Sequence, residues 1–368
     1  MISKHFLIFF VIRGKNCIFA THYYAKYLIM KKIIIVLALL IPFFTHAQKL
    51  ASYTNMIADG YNFWIYTPED YNPAAADKPI VLFLHGSSLC GNDLNRVRRY
   101  GTLDALNMGR KIDAVVVAPQ NPGGSWRPEK IMNVVNWVEQ HFSVDTNRFY
   151  VLGMSLGGYG TIHFVAAYPE KVAAAIALCG GSDLKDHCSL CQVPLWIMHG
   201  TADKAISVSE SQKVVNAMAA CGDTSRLRFT KLPGQSHGDL AKVFYLEETY
   251  QWLFAHRLND PNRPVNKDID INVSTFAKAY ANIDRSKAHF TVVDGATGKE
   301  AAPAQAQTQK TASAKPATSS SSKYHTVKKG DTLSAIARKY HTSVSKLCKL
   351  NKIKETTILQ IGRKLRVR

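Results

Sequence analysis

In the stretch Arg148-Phe149-Tyr150-Val151-Leu152-Gly153-Met154-Ser155-Leu156-Gly157, an apolar run without polar alternation leads into a serine set between two glycines, and a helix-like segment follows. An unbroken apolar run suits a strand buried on both faces of a parallel sheet. The serine then falls at a strand-to-helix turn. Glycines on either side remove the Cβ atoms that would collide there and leave the hydroxyl exposed above the sheet. The flanking sequence repeats this rhythm. Strand-like runs are expected at 62–66, 80–85, 114–118, 149–153, 173–178, 194–199 and 227–232, and helices at 93–107, 128–142, 156–168, 207–220 and 240–256. Strands and helices taking turns define an α/β fold with a mostly parallel sheet flanked by helices.

A serine hydroxyl is a weak nucleophile near neutral pH, so Ser155 needs a base and a group to orient that base. For a serine on such a turn, both come from later strand ends in the order serine, acid, histidine. Asp203 follows the strand at 194–199, and His237 follows the strand at 227–232. Asp183, Asp223 and Asp239 compete for the acid's role with weaker positions. Attack on a carbonyl creates an oxyanion that requires preorganised N–H donors. Leu156, next to the nucleophile, supplies one, and Ser87, after the strand at 80–85, supplies the other, with Ser88 as the alternative. His85 and His199 read as structural histidines that shape their loops.

The 368 residues carry a formal charge of +19, unevenly placed. Residues 1–47 hold six Lys/Arg and no acid, residues 48–300 hold 25 of each sign, and residues 324–368 hold twelve Lys/Arg against Asp331 and Glu355. The central region is therefore neutral. From Met30, two lysines, an apolar run at 33–44 and Thr45-His46-Ala47 have the layout of a secretory signal cut after Ala47, with residues 1–29 as an upstream extension. The apolar run is shorter than the roughly 20 residues a membrane-spanning helix needs, so no transmembrane anchor is expected in the mature chain. Export permits disulfides. Among Cys90, Cys188, Cys191 and Cys221 three pairings stay open, and Cys179 reads as a buried thiol. Cys188-x-x-Cys191 lacks a second ligand pair, so no metal and no cofactor are expected.

The order Leu84-His85-Gly86-Ser87-Ser88, Gly153 to Gly160, His199-Gly200-Thr201-Ala202-Asp203 and Gln235-Ser236-His237-Gly238-Asp239 resembles the α/β-hydrolase superfamily over residues 60–258. The similarity is nearest to secreted carboxylesterases and feruloyl or acetylxylan esterase-like enzymes. It implies carboxylic-ester hydrolysis on a substrate that the motifs do not name. A peptidase on the same scaffold, or a decayed glycan-binding protein, is the alternative. The resemblance also places the loop 119–126 beside the site, with Trp126 as a candidate substrate contact. No insertion long enough for a large lid separates the motifs, which implies an open cleft.

Residues 259–300 have weak periodicity and no functional reading, and 301–323 have the composition of a flexible linker. Residues 324–368 resemble a LysM module, with a strand, a Gly330-Asp331-Thr332-Leu333 turn, two helices and a closing strand. By that resemblance, Gly330, Asp331, Thr332 and Leu333 together with Thr357, Ile358, Leu359 and Gln360 form a groove for peptidoglycan or another N-acetylglucosamine-containing glycan. The basic tail has no interleaved aromatic ladder, so nucleic acid is not expected as a partner.

Overall fold

A computed structural model of the chain describes residues 48–288, 290–298, 324–327, 333, 336, 337, 340, 342, 344–351, 353 and 362–367. They belong to two compact units, divided between residues 304 and 305. The expected signal sequence, the linker and all the expected glycan contacts except Leu333 lie outside the described residues.

The first unit is built on nine strands: β1 (Lys49–Tyr53), β2 (Asn62–Thr67), β3 (Pro79–Leu84), β4 (Val115–Gln120), β5 (Asp145–Met154), β6 (Ala174–Leu178), β7 (Leu195–Gly200), β8 (Leu227–Leu232) and β9 (Thr291–Asp294). They lie in the order β8-β7-β6-β5-β3-β4-β2-β1-β9. From β4 through β3 to β8 every pairing is parallel, while β2 runs antiparallel to both neighbours. The apolar runs divide between the two faces as the pleat requires. Val81 and Phe83 of β3 enter one core, and Ile80, Leu82 and Leu84 enter the other.

Helices cover both cores. On the face carrying Leu82 sit α2 (Pro128–His141), α3 (Leu156–Ala167) and α4 (Val208–Ala220), contributing Ile131, Val134, Phe164 and Met218. On the face carrying Phe83 sit α1 (Thr102–Met108) and α5 (Glu247–Phe254), contributing Leu103, Trp252 and Leu253. Two expected helices are interrupted. The 93–107 stretch is a 3-10 turn, Leu94–Arg98, then a break at Gly101, whose φ of 89° suits glycine, before α1 begins. The 240–256 stretch opens with a 3-10 segment, Gly238–Tyr245, ahead of α5.

The described residues of the region 259–300 are an integral part of this unit rather than an appendage. Strand β9 pairs in parallel with β1 and finishes the sheet. Val265, Ile271, Phe276 and Ala279 are buried in the core shared with Trp252. Polar contacts fasten the segment's backbone. The Arg228 guanidinium donates to the Asn266 and Ile269 carbonyls at 3.2 and 2.5 Å, and Trp252 Nε1 donates to the Asn266 carbonyl at 3.0 Å. Of the cysteines left open by sequence, Cys188 and Cys221 form a disulfide across 33 residues, while Cys90 and Cys191 are free thiols. Closing a loop of that length stabilises by about 4 kcal/mol on chain-entropy grounds.

In the second unit, β10 (Tyr324–Thr326) pairs antiparallel with β11 (Lys364–Arg366), and the helix α6 (Val344–Asn351) lies in the intervening sequence. Val327, Leu333, Ile336, Ala337, Leu347, Cys348, Leu365 and Val367 make a small core of their own. Asn351 fastens α6 to the closing strand. Its Oδ1 accepts the Arg366 N–H at 2.7 Å, and its Nδ2 donates to the Arg366 carbonyl at 2.8 Å. No helix among the described residues is long and apolar enough to cross a membrane.

Candidate active site

Parallel strands that end on the same edge bring distant residues together outside their C-terminal ends. Strands β3, β5, β7 and β8 carry, just past those ends, Ser87, Ser155, Asp203 and His237. Ser155 sits at φ 59° and ψ −121°, a backbone conformation that L side chains rarely adopt. The two glycines of the motif make this turn possible. A Cβ on Gly157 would run into the Leu84 carbonyl, and one on Gly153 would meet the Gly157 carbonyl. The Ser155 N–H is held by the Leu178 carbonyl at 2.9 Å, and α3 begins at the next residue.

Behind the serine, His237 Nδ1 lies 2.7 Å from Asp203 Oδ2. The carboxylate only accepts here, so this ring nitrogen carries the hydrogen and Nε2 is left as the basic one. Asp203 is fully buried at its side chain. Burial alone would raise its pKa. The Ile206 N–H, the His237 ring and the Ala205 N–H outweigh that and hold the carboxyl below its usual range. The two backbone N–H groups reach Oδ1 at 2.9 and 2.8 Å. Asp203 is thus an ionised, tightly held carboxylate, suited to orient an imidazole.

Ser155 and His237 line one open cleft of about 360 Å³, together with Gly86, Ser87, Ser88, Tyr100, Met154, Gly238 and Ala241. Leu156 is the first residue of α3 and Ser87 the first of the 3-10 turn Ser87–Leu89, so neither N–H has an acceptor inside its own helix. Tyr100 takes the neighbouring Gly86 N–H on its hydroxyl at 2.8 Å. Sequence reading missed Tyr100, because it lies in a stretch read as one uninterrupted helix. Gly101 directly after it was the available signal.

Two histidines expected to be structural are fully buried. His85 Nδ1 lies 2.8 Å from the Gly86 carbonyl, and its Nε2 accepts the Asn121 N–H at 3.0 Å, joining the loops after β3 and β4. Burial, aided by the nearby Arg96 charge, pushes its pKa down to about 4. The expectation for Trp126 needs correction. Its ring is 2% exposed, packs edge-on against Tyr61 and His85, and donates Nε1–H to the His85 carbonyl at 3.1 Å. It braces the loop after β3 from inside the core and does not line the cleft. Among the competing acids, Asp183 pairs with His163 at 2.9 Å, and Asp239 binds Ser236 and Lys242.

A serine on a strained strand-to-helix turn, with acid and histidine on later ends of a mostly parallel sheet, defines the α/β-hydrolase fold. Residues 128–245 match the family described as Phospholipase/Carboxylesterase, and residues 325–368 match the LysM domain. A bifunctional acetylxylan esterase/xylanase of Neocallimastix patriciarum is 26% identical over 160 residues, covering 41% of this chain and 22% of that protein. Acetylxylan esterase A of Emericella nidulans is 23% identical over 238 residues, covering 59% of this chain and 74% of that one. The chain thus spans less than a quarter of the first relative and about three quarters of the second. A crystal structure of a thermostable esterase aligns with a TM-score of 0.46 and 24% identity, over 58% of this chain and 64% of that one.

Proposed function

We propose that the chain is an exported serine hydrolase that cleaves carboxylic esters through Ser155, His237 and Asp203, and that its LysM unit holds it on peptidoglycan or a related N-acetylglucosamine-containing glycan. The observation that carries the catalytic part is the 2.7 Å contact between His237 Nδ1 and Asp203 Oδ2, with His237 and the strained Ser155 on one cleft. In the reaction, Ser155 Oγ attacks the ester carbonyl and its proton passes to His237 Nε2. The N–H groups of Leu156 and Ser87 take the developing oxyanion, whose collapse breaks the ester bond. The alcohol leaves with the proton from His237 and an acyl group stays on Ser155. Water then repeats the sequence, returning the proton by way of His237 and releasing the acid.

The two curated relatives are named as acetylxylan esterases, which supports a short acyl ester carried on a carbohydrate as the substrate. The open cleft is consistent with a substrate that is part of a polymer. The basic tail, net +10 over residues 324–368, supports attachment to an anionic wall. Purified full-length protein should hydrolyse p-nitrophenyl acetate, and Ser155→Ala should lose nearly all of that turnover while its circular dichroism stays unchanged. Equal rates for the two proteins would remove Ser155 from the nucleophile's role.

A further inference from the structure

Directly behind Asp203 stands a second imidazole that takes no part in the reaction just described. His199 ends one residue short of the C-terminus of β7, its side chain fully buried. Its Nε2 lies 3.0 Å from the Ile206 carbonyl and 3.3 Å from Asp203 Oδ2. Both neighbours only accept, so Nε2 carries a hydrogen, given to the Ile206 carbonyl with Asp203 Oδ2 as the longer, second acceptor. Burial pushes the ring's pKa below its ordinary value, which keeps it neutral near pH 7. On its other edge, Ser211 Oγ lies 2.8 Å from Nδ1 and 2.8 Å from the Gly180 carbonyl, two acceptors that share its one hydroxyl hydrogen.

The consequence concerns the sharing of one oxygen. Asp203 Oδ1 is taken up by the N–H groups of Ala205 and Ile206. Oδ2 faces two imidazoles, His237 at 2.7 Å and His199 at 3.3 Å. We propose that His199 is a positioning residue of the triad: its Nε2–H keeps Asp203 in the plane that His237 needs and draws on the same oxygen, limiting how strongly Asp203 stabilises a protonated His237. The inference rests on the triad reading above. Among the described residues, the Cys179 thiol, beyond the end of β6, also lies within 4.8 Å of both groups. Burial raises its thiol pKa, so it is neutral. Asp239, two residues past His237, is engaged by Ser236 and Lys242.

The sign follows from the shared oxygen. Without the His199 donor, Oδ2 acts on His237 alone and favours its protonated form more, so the base stays blocked to higher pH. His199→Phe keeps a ring and removes both nitrogens. It should move the acid limb of the kcat/KM profile upward by about half a pH unit. His199→Gln, which retains an N–H on a similar reach, should bring the limb back toward the parent. Ser211→Ala touches neither Asp203 nor His237 and loosens only the far edge of the ring, so it should give a smaller shift in the same direction. It also serves should the Phe variant not fold. The midpoint of His237 in an NMR titration of the full chain reads the same shift without any turnover. A parent that hydrolyses no ester would fail the triad reading while leaving this titration decisive. An unmoved acid limb and an unmoved His237 midpoint in the Phe variant, or in Ser211→Ala if that alone folds, would reduce His199 to a packing residue.

Discussion

Tyr100 Oη accepts the Gly86 N–H at 2.8 Å, fourteen residues away, and so occupies one donor of the loop that also carries the Ser87 N–H. A Cβ on Gly86 would come within 2.7 Å of that hydroxyl and 3.3 Å of the Ser155 Cβ, so the loop, the tyrosine and Ser155 are packed as one piece. Tyr100→Phe keeps the ring and frees the loop. Expected is a fall in kcat of roughly tenfold on a short p-nitrophenyl ester, less than the loss of a full oxyanion donor, with little change in KM. An unchanged kcat would separate Tyr100 from the oxyanion loop.

The choice of acid is open to a direct comparison. Asp203→Asn should lower kcat by three orders of magnitude or more, because a neutral amide can hold the wrong tautomer of His237. Asp183→Asn should cost little, since Asp183 is an exposed carboxylate that lies 2.9 Å from His163 Nε2 and away from His237. Steady-state rates of the two variants at one pH decide it, and the reverse ranking would move the acid to Asp183.

Acid sensitivity of the His237 loop follows from Asp239. Its Oδ2 accepts the Ser236 hydroxyl at 2.6 Å and the Ser236 N–H at 3.0 Å, and its Oδ1 accepts Lys242 at 2.9 Å. The Ser236 hydroxyl, then the Lys242 ammonium, hold its pKa at about 2, below the ordinary 3.8. A carboxyl with a lowered folded pKa stabilises fully above the unfolded value and loses that stabilisation as pH falls through the folded one. The window runs from about pH 4 down to about pH 2. Solvent around this partly exposed group keeps the effect below about 1 kcal/mol. Asp239→Asn should therefore melt slightly below the parent at pH 7, with the gap closing toward pH 2. A gap that stays constant with pH would assign the effect to something other than this charge.

Removal of residues 324–368 tests the tether. The truncated protein should fail to sediment with insoluble peptidoglycan yet turn over a soluble short ester at close to the parent rate, because the two units have separate cores. Intact protein should keep part of its binding in 0.5 M salt, since a glycan groove uses hydrogen bonds and apolar contact as well as charge. Sedimentation of the truncated form, or complete release of the intact form by salt, would end the anchoring role.

Much of this arrangement was legible in the sequence, and for physical reasons. The elbow around Ser155 is written in glycines because only glycine fits beside the Leu84 carbonyl, and a steric demand of that kind leaves an unambiguous residue type. Strands β3 to β7 were legible because burial on both faces forces continuous apolar runs. Region 259–300 was not, because its place depends on Arg228 and Trp252 donating to its carbonyls. Any residue can offer a carbonyl, so such bonds leave no mark on the segment's own sequence. Trp126 was misread for a related reason: an indole suits a pocket wall and a core equally well, and only the His85 carbonyl beneath it decides. The Cys188–Cys221 pairing needed the fold, since α4 carries one partner to the other.

Under the proposed mechanism, the demands of turnover and of folding point in opposite directions at position 155. With φ at 59°, an ordinary side chain is held in a conformation that costs on the order of 1–3 kcal/mol. Glycine would adopt the same turn without that penalty, so Ser155→Gly should be relieved of the strain and melt above the parent. The hydroxyl is kept at the site in spite of the protein's thermodynamic preference, and the glycines, the Leu178 carbonyl and the buried start of α3 are what make the unfavourable conformation persist.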